Sequence, residues 1–251
     1  MRWLLALLCC QTLADTAGLP ATLSFAARPL PPYMEQTPSG YKGAHLEIMS
    51  ALTRQIGVRL KLVECPSARC LRMLEVGDVD VAMGYARDPQ RDAYLDFLQP
   101  SYASPTRTQF YVRHNETRSL QQAEDVSQFR AGLVRGVFYS RVLTLIPEAN
   151  RDYGPDMETN FRKLAAGHVD MVPAGVNVGT RVIDKLALVG KVRAAPFSLV
   201  LDTERHISLS RRSAWHPHKA RLEAAFATLV QKGEVSAILA RHEEVDSTRK
   251  R

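Results

Sequence analysis

The spacing of apolar residues changes several times along the chain, and each change predicts an element. Thr22 to Ala27 (TLSFAA) alternates apolar and polar positions, the two-residue period of a strand. The proline-rich RPLPPY that follows cannot be helical. Beyond it Leu46, Met49, Leu52 and Ile56 fall at steps of three, three and four, which makes one apolar helical face. Gly57 stands where a left-handed C-terminal cap belongs. Arg59 to Glu64 alternates again, a helix is expected from about Ser67 to Val76, and Gly77 ends it. Val79 to Gly84 is a short apolar run closed by glycine, as in a buried strand. Strand, helix, strand, helix, strand is the order of an α/β fold with a largely parallel sheet.

The frame L-x-x-G-x-V-D occurs twice, as LEVGDVD from Leu74 and as LAAGHVD from Leu164. Each copy fits the end of a helix turning into a buried strand. The second helix is expected from about Asn160 to Ala166, ended by Gly167. Between the copies, Thr108 to His114 and Arg130 to Gly136 look like strands, and VFYSRVLTLI after Gly136 reads as a helix. The middle of the chain thus carries a second α/β unit, and the echo marks matching points in two similar lobes. Further on, APFSLVLD and HISLSRRS are strand-like. Two helices follow. The first has Pro217 in its first turn and Leu222, Phe226 and Leu229 as its inner face, and Gly233 ends it. The second runs from Val235 to His242.

At 251 residues and 45% hydrophobic content the chain can bury a core as one large or two small domains. The N-terminus has the three parts of a secretory signal. A positive start (Met1-Arg2) leads into a short apolar run (Trp3 to Cys10), then small residues allow cleavage after Ala14 or Ala17. The run is too short to span a membrane. The bulky Leu8 ahead of Cys9 argues against a lipid anchor. Cleavage removes Arg2 and Asp15, which cancel, so the formal net charge stays +7. A basic balance favours anionic partners or simple solubility. The scattered lysines and arginines, with no zinc-finger or RNA-binding signature, argue against nucleic acid.

Removal of the signal leaves Cys65 and Cys70 in CPSARC. An even count in an exported chain reads as a disulfide; free buried thiols and half of a metal site are the alternatives. No second cysteine pair or histidine pair supports the metal. Closing so short a loop contributes about 2 kcal/mol. His216 and His218 in WHPH are too few ligands for a closed metal site and suit a helix start. Asn115-Glu116-Thr117 matches a glycosylation sequon, a common accident.

Four stretches, taken in order, resemble the amino-acid-binding class of bacterial extracellular solute-binding proteins, family three. They are LSFAARPLPPYMEQTPSGYKGAHLEIMSAL, LRMLEVGDVDVAMGYARDPQRDAYLDFLQPSY, FRKLAAGHVDMVPAG and LEAAFATLVQKGEVSAILARH, together covering about Leu19 to His242. The resemblance implies a two-lobed periplasmic-binding-protein (Venus flytrap) fold of class α/β, each lobe a mostly parallel sheet flanked by helices. Residues 1–17 would be the signal peptide. Residues 18–103 and 201–245 would form lobe one, residues 104–200 lobe two, and residues 246–251 a charged tail. Two strands would cross between the lobes, near Tyr102 to Thr106 and near Leu199 to Arg205. A small anionic or zwitterionic solute would bind in the cleft, at the C-terminal ends of the strands, and the lobes would close over it.

By its place in the D-x-x-R frame, Arg91 matches the family's carboxylate clamp, a role suited to a planar guanidinium. The alternative is a surface arginine in DPQRD, flanked by Asp88 and Asp92. Gly84, Tyr85 and Ala86 would present backbone groups and Tyr33 an aromatic wall. Arg135, Gly136, Val137 and Phe138 precede a helix whose N–H groups can bind an anion. The family usually places an acidic residue for the α-ammonium at the position held here by Ala174-Gly175. A standard zwitterion therefore loses its usual partner, unless an acid elsewhere, such as Glu47, replaces it. The expected role is a monomeric periplasmic binding protein serving a membrane importer permease, with no cofactor and no metal. The alternatives are a receptor for a membrane signalling partner and a cyclohexadienyl-dehydratase-like enzyme. The enzyme needs a general acid in the cleft.

Overall fold

The structure, a computed structural model, describes residues 18–103, 107–137, 139, 141–200 and 204–244. The signal segment, the cleavage positions, the C-terminal tail, Phe138 and parts of both expected crossing strands (104–106 and 201–203) lie outside the described residues.

The first half contains β1 (Thr22–Ala27), the hairpin β2 (Glu35–Thr37) and β3 (Gly40–Lys42), α1 (Ala44–Ile56), β4 (Arg59–Glu64), α2 (Ser67–Val76), β5 (Val81–Ala82) and β6 (Leu95–Phe97). The middle contains β7 (Arg107–Arg113), β8 (Ala131–Val134), α3 (Arg141–Leu145), β9 (Arg151–Gly154), α4 (Met157–Ala165), β10 (Met171–Gly175), α5 (Val176–Lys185) and β11 (Val192–Val200). The chain then returns as β12 (Ser208–Ser210), α6 (Lys219–Gln231) and α7 (Glu234–Glu244).

Two five-stranded sheets result, ordered β4-β1-β5-β12-β6 and β9-β8-β10-β7-β11. Read in this direction, each has two parallel pairings followed by two antiparallel ones. Each sheet is therefore mixed, because one strand in each enters from outside the local strand-helix-strand run: β12 in the first and β7 in the second. The fold class is α/β with two lobes, as expected. Strands β5 and β10 hold the same central place, and these are the strands that the repeated frame opens.

The frame has a physical purpose in both lobes. Gly77 and Gly167 take positive φ values of 86° and 80°, which lets the chain leave α2 and α4 for the sheet. Val79 and Val169 are buried. Asp80 accepts the Ser24 N–H at 2.7 Å and Asp170 accepts the Arg130 N–H at 3.1 Å. In each lobe the aspartate therefore ties the new strand to the start of its parallel neighbour.

Some boundaries differ from expectation. On α1 it is Ile48, with Met49, Leu52 and Ile56, that is buried, while Leu46 is only partly covered. β5 is shorter than Val79 to Gly84, since Gly84 turns the chain at φ +78°. The segment after Gly136 makes a tight turn, with the Val137 N–H donating to Val134 O, before the short α3. The inner face expected for the first C-terminal helix, Leu222, Phe226 and Leu229, is buried on α6, against α1. The fully buried Trp215 donates from Nε1 to Thr22 O at 2.8 Å, tying the returning chain to β1.

Cys65 and Cys70 form a disulfide that staples the end of β4 to the first turns of α2. The Tyr102 N–H donates to Arg205 O at 2.7 Å and the Arg205 N–H to Ala103 O at 3.2 Å, so the chain leaving the first sheet and the chain returning to it lie side by side there. His216 bonds Asp96 at 3.0 Å and the ring of His218 packs edge-on to Trp215, where a turn leads into α6. Among the described residues no group of three metal-binding side chains occurs, and no helix is long and apolar enough to cross a membrane.

Candidate functional site

A cavity of about 390 Å³ lies between the sheets. Arg28, Leu30, Tyr33 and Gly84 line it from the first lobe. Arg107, Thr108, Val137, Tyr139, Met157 and Pro173 to Val178 line it from the second, and Arg205 from the crossing segment. The strands' C-terminal ends deliver several of these groups: Arg28 follows β1, Gly84 follows β5, and Ala174 and Gly175 end β10.

Arg28 is the central observation. It is only 5% exposed, yet no carboxylate lies within ion-pairing distance of it among the described residues. Its Nη2 donates to Gly84 O at 2.7 Å and its Nη1 to Ser67 Oγ at 3.4 Å, and the guanidinium lies 4.5 Å from the Tyr85 ring centre. Its Nε has no hydrogen-bond partner. A buried cation without a counter-charge is expensive unless an anion completes it.

Arg205 lies over the Tyr33 ring at 5.1 Å, a cation–π contact that orients it at the cavity wall. Arg107 donates to Ser198 Oγ at 3.0 Å. Among the described residues the lining includes no Asp or Glu. Gly175 is the N-cap of α5, so the first turn of that helix, with its outward N–H groups, borders the cavity.

Behind Tyr33 sits His45, fully buried. It stacks on Tyr33 at 5.3 Å and lies 3.3 Å from the Tyr102 hydroxyl. Burial, with the positive charges of Arg28, Arg205 and His242, pushes its pKa well below 6.5, so the imidazole is neutral. Burial likewise raises the Tyr102 hydroxyl to about 12. These groups wall the site without adding charge.

Of the residues that the sequence nominated, Tyr33, Gly84, Val137 and Ala174 line the cavity. Arg91 does not. Buried at 5% exposure, it pairs through Nε with Asp88 at 3.0 Å and donates to Ala86 O at 2.7 Å and Gly136 O at 3.1 Å. Asp88, one turn before it, takes up the guanidinium, which bridges the lobes beside the cavity. Tyr85 lies behind the lining too, its hydroxyl donating to Ser67 O at 2.9 Å. Ala86 serves Arg91 through its carbonyl, and Gly136 sits against Ala68. Arg135 is exposed and reaches Tyr153 O at 3.4 Å. Glu47 is remote from the lining and pairs with Arg241 and His242 at 2.6 and 2.7 Å.

Arg28, Arg107, Thr108, Tyr139, Asn177 and Arg205 are the polar lining groups that sequence reading passed over. Arg28 had a usable signal: a lone arginine directly after a buried strand, before a proline turn, stands where a strand's C-terminal end meets the cleft. The others come from partners far away in sequence.

The lobes also touch around the cavity. Arg181 on α5 pairs with Glu35 on β2, and Asn177 Nδ2 donates to the Tyr33 hydroxyl at 3.2 Å.

Residues 23–244 match the model of the bacterial extracellular solute-binding proteins, family 3. No curated protein matches the chain. Among solved structures, a histidine kinase sensor domain with similarity to periplasmic binding proteins shares 20% identity, with 88% of this chain and 95% of that chain covered and a TM-score of 0.77. An ancestral arginine-binding protein bound to arginine shares 17%, covering 88% and 98%, with a TM-score of 0.77. The amino acid ABC transporter substrate-binding protein AbpA from Streptococcus pneumoniae, bound to L-arginine, shares 17%, covering 90% and 96%, with a TM-score of 0.76. At these identities the likeness is one of fold.

Proposed function

Because the chain belongs to the bacterial extracellular solute-binding proteins of family 3, we propose that it captures a small carboxylate-bearing solute between its lobes, in the periplasm, and hands it to a membrane importer. The observation that carries this reading is Arg28, a buried cation lining the cavity with an unbonded Nε and no acidic partner among the described residues. A carboxylate beside the guanidinium supplies the missing charge. Hydrogen bonds to charged groups contribute about 1.5–3 kcal/mol each. Arg205 and the first turn of α5 add positive potential on other walls. Arg91 supports the site from behind, by joining Asp88 to the Gly136 turn of the second lobe.

Export through the N-terminal signal, and the disulfide, both fit an oxidising compartment. A lining of arginines, tyrosine hydroxyls and apolar side chains, with no carboxyl group among its described residues to act as acid, supports binding rather than dehydratase chemistry. Delivery to a membrane sensor is the second reading, favoured by the shared fold of a histidine kinase sensor domain.

The test is calorimetric titration of the mature protein with mono- and dicarboxylates, for the wild type and for Arg28→Gln. The variant is expected to bind at least tenfold more weakly, about 1.4 kcal/mol. Unchanged affinity in a folded variant removes Arg28 from the site. Loss of affinity in Arg91→Gln alone would restore the clamp to Arg91.

A further inference from the structure

Among the described residues, five carboxyl groups stand close to this cavity in the chain, and each is turned away or engaged. Asp156 and Glu158 flank the lining residue Met157. Asp156 caps α4 through the Thr159 N–H at 2.7 Å, and Glu158 pairs with Lys185 at 2.5 Å and Arg162 at 3.4 Å. Glu35 is held by Arg181 and Lys42, and Asp88 by Arg91. Glu204, beside Arg205, reaches out to His206 at 3.3 Å. The described lining thus presents arginines and no acid, while Val137, Met157, Pro173, Ala174 and Val178 form an apolar floor on the second lobe.

An ammonium group held in this space would lose its water without gaining a counter-charge from the described lining, and it would sit near a buried arginine. Both effects oppose binding. A carboxylate next to Arg28 meets the opposite situation. We infer that the ligand is an organic acid without an amine, of amino-acid size and with an apolar body, such as an aromatic or branched 2-oxo acid. This inference rests on the carboxylate reading of the site proposed above. The volume of about 390 Å³ is that of an ordinary small-molecule site. In such a pose the carboxylate meets Arg28 and the apolar body lies against Met157 and Val178.

Gly175 offers a way to reverse the preference. Its φ is −58°, a value that any residue adopts, and a Cβ built there meets nothing within 4 Å. It is also the N-cap of α5, where aspartate is favoured, so Gly175→Asp places a carboxylate at the cavity wall with little strain.

The experiment compares matched pairs that differ at the amine: phenylpyruvate with phenylalanine, and 4-methyl-2-oxopentanoate with leucine. Succinate and acetate serve as amine-free acids without an apolar body. Affinities are measured by calorimetry on the wild type and on Gly175→Asp, with the fold of each checked by circular dichroism. The oxo acid of at least one pair is expected to bind at least tenfold more tightly than its amino acid, and Gly175→Asp is expected to shift that ratio at least tenfold toward the amino acid. An amino acid that binds the wild type as well as its oxo acid overturns the inference while leaving the carboxylate site standing. Binding of succinate or acetate with both pairs silent overturns the apolar body. Silence of every acid overturns the carboxylate reading itself, and this inference with it.

Discussion

Arg181 on α5 grips the carboxylate of Glu35 on β2, with Nη2 donating to Oε2 at 3.0 Å and Nε to Oε1. The pair spans the two lobes beside the cavity, and both side chains are largely covered. Bidentate geometry makes it a directional clasp rather than a loose surface pair. Because the clasp exists only when the lobes meet, Arg181→Ala is expected to weaken ligand binding about fivefold, roughly 1 kcal/mol after discounting for partial exposure. The open, ligand-free form should keep its melting temperature. Calorimetry and thermal melts check the two halves, and equal affinity in the variant would remove the clasp from closure.

The same pair predicts a pH dependence. Burial works to raise the Glu35 carboxyl, but the hydrogen bond and charge of Arg181, with help from Lys42, outweigh it and hold the pKa below 4.5. A carboxyl depressed in the clasped form contributes affinity that is fully present above its ordinary pKa. That contribution fades as pH falls through the depressed value. Affinity is therefore expected to be flat above about pH 5.5 and to weaken toward pH 4. Arg181→Ala should remove the part of that decline owed to Glu35. Titrations from pH 4 to pH 7 read both curves.

Gly136 meets the first lobe at very close range. A Cβ there would stand 2.8 Å from Ala68 Cα, and the residue holds φ at +81°. Gly136→Ala is expected to cost about 1–2 kcal/mol for the left-handed backbone alone. The clash with Ala68 arises only on closure, so affinity should fall at least tenfold as well. Small-angle scattering of the ligand-saturated variant should show a wider molecule than the wild type. Wild-type affinity and shape would mean that the lobes do not close in this register.

Asp80 should matter for stability rather than binding. It accepts the Ser24 N–H at 2.7 Å, the Ser24 hydroxyl and the Ser213 hydroxyl, joining three strand-end segments. Asp80→Ala leaves these donors short of an acceptor at a cost of about 2 kcal/mol. For a chain of this size that lowers the melting temperature by about 4–8 °C. A smaller change, under about 1 °C, would mean that water replaces the carboxylate at each donor.

The amino-acid sequence by itself determined the elements and their repetition. The steps that bring Met49, Leu52 and Ile56 onto one face of α1 and the frame shared by Gly77 and Gly167 are local patterns. Both follow from which face of a segment must be buried and which residue tolerates a positive φ. The Cys65–Cys70 staple was equally local. The frame's aspartates were visible too, but not their purpose, since Ser24 and Arg130 lie far off in the chain.

The site was decided by tertiary structure. Arg91 stood out in sequence by its D-x-x-R frame, yet the preceding turn puts Asp88 against it and Gly136 arrives from the other lobe, so its donors are engaged outside the cavity. Arg28 looked like one arginine among many until burial separated it from every acid among the described residues. A charge is defined as free or paired only after distant segments pack, and that packing sets both its desolvation and its partners. The absence of a carboxylate at Ala174-Gly175 was legible from the start. That no other described acid turns inward to replace it was visible only once Asp156, Glu158 and Glu35 were seen bound elsewhere.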